Sequence, residues 1–154
     1  MEIEVKAVAF LEEEQDEIGA IIASLASYQS PYWHIERSRE GTSRSVAVEL
    51  VVNGEAVESK SITADGGWQD VNFNYSITSS SWVAVRIYGS SHSNPIFIEL
   101  NDEPILRKES AEWCREAVDQ CWKMKKDKFR KSEMEAAKKG YDHARAVYDR
   151  MIRG

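Results

Sequence analysis

Residues 43–62 read SRSVAVELVVNGEAVESKSI, and this stretch decides the fold class. Two runs rich in β-branched residues flank Asn53 and Gly54. Both central positions of a type I′ turn need a positive φ, which Asn and Gly tolerate, and the twist of that turn matches paired strands. An antiparallel hairpin is expected, with Leu50 facing Val57 and with Val46, Val48 and Val52 on the same apolar face.

Strand-like patterns continue on both sides. At the start, Ile3, Val5, Ala7, Ala9 and Leu11 alternate with Glu2, Glu4 and Lys6, the pattern of a half-buried strand. The acidic run EEEQDE then leads into Ile18, Ile21, Ile22 and Leu25 at helical spacing. Acids suit a first helical turn, so a short helix is expected near 14–26. YWHIERSR, residues 32–39, reads as another strand. After the ADGGW turn, Val71, Phe73, Tyr75 and Ile77 alternate with polar residues. WVAVRIY at 82–88, PIFIEL at 95–100 and EPILR at 103–107 complete seven or eight short strands, the spacing of an antiparallel sandwich.

From Glu109 the composition turns to helix formers. Ser110 is placed to cap a helix whose stripe runs Ala111, Cys114, Val118, Cys121 and Met124 or Trp122. Met134, Ala137, Tyr141, Ala144, Tyr148 and Met151 then recur at steps of three and four, which fits an antiparallel helical hairpin. Cys114 and Cys121 are separated by roughly 10 Å along one helix, too far for a mutual disulfide. They are expected to be small buried residues.

At 154 residues, with 42% hydrophobic and 30% charged residues, the chain suits one domain with a real core. No apolar run reaches about 18 residues, so no membrane span is expected, and the start lacks the pattern of a signal peptide. The default location is the cytoplasm, unless the chain is cut from a longer exported protein. The net charge of -6 divides unevenly: residues 1–108 hold 8 Lys/Arg against 17 Asp/Glu, and residues 109–154 hold 12 against 9. A nucleic-acid partner is not expected, because phosphate binding needs a basic surface.

Three groups of residues invite a chemical reading. In SSHSNPIF, residues 90–97, serines adjoin His92, but no G-x-S-x-G elbow exposes a nucleophile, and the hydroxyls and Asn94 fit turn chemistry better. His34 and His92, with Glu36 or Asp70 nearby, form the set from which a free-standing metal-dependent hydrolase would be built. His34 otherwise reads as a partly buried strand residue whose ring nitrogens find local partners. KMKKDKFRK, residues 123–131, holds six basic residues in nine, which suits the end of a helix or an acidic partner. The five tryptophans are assigned to core and inter-layer packing ahead of a carbohydrate-binding face.

Taken in order, PYWHIERSR, VELVVNG, SSWVAVRI with SSHSNPIF, ESAEWCREAVDQCW and YDHARAVY form one arrangement. It resembles the C-terminal region of the carbaryl-hydrolase-like (CehA/McbA) metallohydrolases, a branch of the polymerase and histidinol phosphatase (PHP) superfamily, over residues 30 to 152. In such enzymes a preceding PHP domain holds the metals through His and Asp residues. None of its ligand motifs occurs here, so the resemblance implies no catalytic or metal-binding residue in this chain, and a divalent metal only in a separate catalytic domain.

The expected architecture is α+β: an antiparallel immunoglobulin-like β-sandwich over 1–108, then a helical hairpin over 109–154 packed on it as one domain. The expected role is a non-catalytic accessory or interaction domain. Its partner would be the PHP-type catalytic domain of the same parent chain, or further copies of itself. Trp33, His34, Glu36, Ser91, His92 and Asn94 are the expected interaction surface, since aromatic, His and Ser/Asn groups suit recognition.

Overall fold

A computed structural model describes residues 1–153 of the chain. It is α+β: antiparallel sheets are followed by C-terminal helices. The chain divides into two compact units, Met1–Ile105 and Leu106–Gly154.

The hairpin is present as β2 (Ser45–Val52) and β3 (Glu55–Thr63). Asn53 and Gly54 take φ values of 50° and 95° in its turn. Its register corrects the expected facing of Leu50 and Val57: Val52 pairs with Glu55 and Val51 with Ala56, but Leu50 pairs with Glu58. Val57 is the extra residue of a β-bulge, which re-aims the side chains beyond it. The bulge accompanies three successive buried residues, Leu50, Val51 and Val52, an arrangement strict alternation does not give.

β5 (Ser81–Ile87) lies on the other side of β2, with Leu50 opposite Val85 and Val52 opposite Val83. The far edge of β5 pairs with β6 (Ser91–His92) and β7 (Ile96–Ile98), completing five strands. A second sheet pairs β1 (Glu2–Ala7) with β4 (Gln69–Asn74), setting Ile3 opposite Phe73 and Val5 opposite Val71. One core joins the sheets: Val46, Val48, Leu50 and Val83 share a buried cluster with Ala7, Val71 and Phe73. Past β1 the expected alternation persists, because Leu11 donates its N–H to Ala64 O at 2.8 Å and its side chain is buried.

Residues 32–39 do not form the expected strand. They carry a 3-10 turn at Ile35–Ser38, where His34 Nδ1 accepts the Glu36 N–H at 3.2 Å. Glu36 and Arg39 are ion-paired at 2.8 Å. In a strand, residues three apart point to opposite faces, so this pairing selects the turn. Residues 103–107 are likewise irregular. The Ser80 hydroxyl accepts from Leu100 N–H at 2.8 Å and donates to Glu103 O at 2.6 Å, and Asn101 and Asp102 have φ of 56° and 57°.

Helix α1 (Glu17–Ser24) is shorter than expected and is capped by Asp16, whose Oδ1 accepts the Gly19 N–H at 2.6 Å. Its apolar face is also corrected: Ile18 and Ile21 are 66% and 61% exposed, whereas Gly19 is buried. A Cβ at Gly19 would lie 3.0 Å from the Glu36 side chain, so glycine here permits the helix to approach that carboxylate.

In the second unit, α2 (Lys108–Lys125) packs against α3 (Met134–Arg153). Arg115 meets Asp149 at 2.9 Å and Arg145 meets Asp119 at 2.7 Å, pairs whose order shows that the helices run in opposite directions. Ser110 is not the cap. α2 begins two residues earlier, behind Arg107, and Glu109 supplies the acid of its first turn. The stripe turns through Trp122, whose ring centroid lies 5.0 Å from that of Tyr141, whereas Met124 is exposed. Cys114 is half-buried and Cys121 exposed, both free thiols, which corrects their assignment as buried residues. Among the described residues no helix is long and apolar enough to cross a membrane.

Candidate functional site

Alternation along β5 sends Ser81, Val83 and Ile87 inward and leaves Trp82, Ala84 and Arg86 on the outer face. Phe97 of β7 stands directly across from Trp82. Asn53 fixes this end of the sheet: its Oδ1 accepts the Trp82 N–H and its own N–H donates to Trp82 O, each at 3.0 Å. The hairpin turn therefore holds the tryptophan as well as reversing the chain. Ala84 and Gly54 are too small to fill the space between the rings.

The segment before the 3-10 turn supplies a second wall. His34 donates its N–H to Gly89 O at 2.8 Å, and the Ser38 hydroxyl donates to Tyr88 O at 2.6 Å. Gly89 has φ of 81°, and a Cβ there would fall 3.0 Å from Arg37 Cβ, so this contact needs glycine on two counts. These bonds bring Trp33 beside His92, with ring centroids 6.1 Å apart. The result is a groove of about 550 Å³ walled by Trp33, Trp82, Tyr88, His92, Pro95 and Phe97. Trp33, Tyr88 and Phe97 remain 63%, 60% and 67% exposed, which marks the groove as open contact surface rather than sealed core. Arg86 contributes the charge at its floor. Its Nε donates to Glu49 at 2.6 Å, and its guanidinium lies 4.9 Å from the Tyr88 ring centroid.

The expected interaction residues separate into two sets. Trp33, Ser91 and His92 line the groove. Asn94 is exposed beside it and uses its carbonyl to accept from Ser93 Oγ at 2.9 Å. His34 caps the 3-10 turn rather than serving a strand, and Glu36 is buried in a structural network. Among the described residues no three His, Cys, Asp or Glu side chains converge closely enough to hold a metal ion. Ser93 fulfils the expected turn role, since its Oγ accepts the Val85 N–H at 3.0 Å.

The tryptophan expectation holds only in part. Trp122 packs against Tyr141 between the two helices, but Trp33, Trp68 and Trp113 are exposed and no tryptophan belongs to the buried cluster of the sheets. Trp82 reads as a packing residue from the sequence, and Tyr88 and Phe97 carry no site expectation. The available signal was large rings on the row of β5 that alternates with Val83 and Ile87.

Glu36 underlies the groove's second wall. Its carboxylate accepts from Arg39 Nε and Nη2 at 2.8 and 2.9 Å and from Gln15 Nε2 at 2.8 Å. The Arg39 bonds hold the Glu36 carboxyl below its ordinary range, against the opposing effect of burial. A carboxylate depressed in the folded state contributes stability that is complete above its unfolded pKa, and lost as pH falls through the folded pKa. The melting temperature should therefore fall as pH drops below about 4.3, and Glu36→Gln should make that fall shallower. Parallel melting curves for the two proteins across this range would contradict the assignment.

No family model, curated protein or solved structure matches the chain.

Proposed function

We propose that this chain is a non-catalytic accessory or interaction module of a PHP-type metal-dependent hydrolase, and that the aromatic groove is its contact surface. In this reading the first unit is an immunoglobulin-like sandwich and the second a helical hairpin, while the divalent metal belongs to the catalytic domain. The observation that carries the proposal is the meeting of Trp33 and His92 at one groove. They come from PYWHIERSR and SSHSNPIF, two of the segments on which the family resemblance rests.

Exposed rings are the side chains from which strong contacts are made. They offer large apolar area with little rotamer entropy to lose, and covering such area is favourable. Arg86, already paired with Glu49, would enter an interface without leaving an uncompensated charge.

The test is made in a PHP-type hydrolase that carries this region. Trp33→Ala joined to Phe97→Ala should reduce kcat/KM or the association of the two domains by about tenfold or more, as expected for central aromatic contacts. Unchanged kinetics and association would remove the assignment. Metal-dependent turnover by residues 1–154 alone would instead favour an active centre using His34 and His92.

A further inference from the structure

The free side of β1 has its own logic, independent of the groove. Tyr75 donates its N–H to Met1 O at 3.0 Å, and the Met1 ammonium donates to Tyr75 O at 2.9 Å. Hydrogen-bonded pairs alternate along an antiparallel ladder, so Ile3 with Phe73, Val5 with Val71 and Ala7 with Gln69 continue that series. The backbone N–H and C=O groups of Glu2, Glu4 and Lys6 consequently point away from β4. Among the described residues β1 pairs with β4 alone. A cleft of about 270 Å³ is lined by Val5, Lys6, Ala7 and Val8, by Val48 and Trp68, and by residues of β5 and β6.

Charges on an edge strand ordinarily block pairing with another chain. Here their order is self-complementary in one register. If two copies of β1 meet antiparallel about a dyad at Val5, each Glu4 stands opposite the Lys6 of the other copy, and each Glu2 opposite Val8. The outward backbone groups of Glu4 and Lys6 are then opposed as a hydrogen-bonded pair, as the ladder requires. The next compatible register on one side sets Lys6 against Lys6, and on the other it sets Glu2 against Lys6 but Glu4 against Glu4, so only the register centred on Val5 pairs opposite charges without opposing like ones. Lys6 is available for this contact. Its side chain is 75% exposed, and its ion pair with Asp70 spans 4.0 Å.

We propose that the β1 edge docks a second copy of this chain, forming a continuous sheet in the order β4, β1, β1 of the second copy, β4 of the second copy. The core-side row Ile3 and Val5, half-buried at present, would gain cover at the same time. A ribbon of two strands, marginal alone, would become four strands wide.

Sedimentation equilibrium of residues 1–154 from about 10 µM to about 1 mM tests this. A dimer is expected, and Lys6→Glu or Glu4→Lys alone should weaken it by about tenfold or more, because each substitution opposes like charges twice about the dyad. The double exchange Glu4→Lys with Lys6→Glu only inverts the pair and should restore association. Circular dichroism of each variant verifies the fold. A monomer throughout the range, a dimer indifferent to Lys6→Glu, or a double exchange that fails to restore association would overturn the proposal.

Discussion

Arg39→Ala is expected to lower the unfolding free energy by about 3–5 kcal/mol, read from urea denaturation. The Arg39 side chain is 1% exposed. Besides Glu36 it holds the backbone carbonyls of Ser43 and Glu12, at 3.0 and 2.9 Å. Removing it leaves the Glu36 carboxylate buried without its main counter-charge and frees two carbonyls from different segments. The size of the effect measures this stranded charge rather than the worth of the pair, because desolvation opposes the attraction between the two ions. Replacing both partners with apolar residues of similar volume should therefore cost less than Arg39→Ala alone. A loss below about 1 kcal/mol for the single variant, the range of an exposed pair, would contradict the network as described.

Phe73→Ala should be comparably damaging, at about 3–5 kcal/mol. Phe73 is fully buried and lies across from Ile3 in the two-stranded sheet, while its ring belongs to the core shared with β2 and β5. Truncation leaves a cavity where the two sheets meet, so the site has little freedom to collapse. Phe73→Leu retains most of the volume and should cost much less. Equal losses for the two variants would show that ring shape, rather than the filled volume between the sheets, is what matters there.

The parts of this fold that sequence reveals are those governed by local rules. Asn53 and Gly54 disclose their turn because few residue types take its backbone angles, and α3 is visible in the spacing from Met134 to Tyr148. The bulge at Val57 is not visible, since it arises with the burial of Leu50, Val51 and Val52 in the assembled sheets. Residues 32–39 read as a strand by composition, but the bond from Glu36 N–H to His34 and the Glu36–Arg39 pair override that preference. The same chemistry divides the expected site. His34 and Glu36 carry side chains that suit recognition or metal chemistry, yet the fold uses those side chains to hold a turn. Trp33 and His92 reach the groove because Gly89 and β6 bring their segments together. Trp82 is assigned to packing because both rows of β5 are largely apolar, so alternation alone does not say which row is wet, and Phe97 joins the groove only because β7 pairs with β5.

Solvent labelling of the groove aromatics addresses its proposed role most directly. Trp33 and Phe97 would be oxidatively footprinted in residues 1–154 alone and in the same region joined to a PHP-type catalytic domain. Both rings are exposed in the isolated chain, and strong protection in the joined protein, with Trp68 labelled equally in both states, is the expected result. Unchanged labelling of Trp33 and Phe97 would contradict the groove as the contact surface.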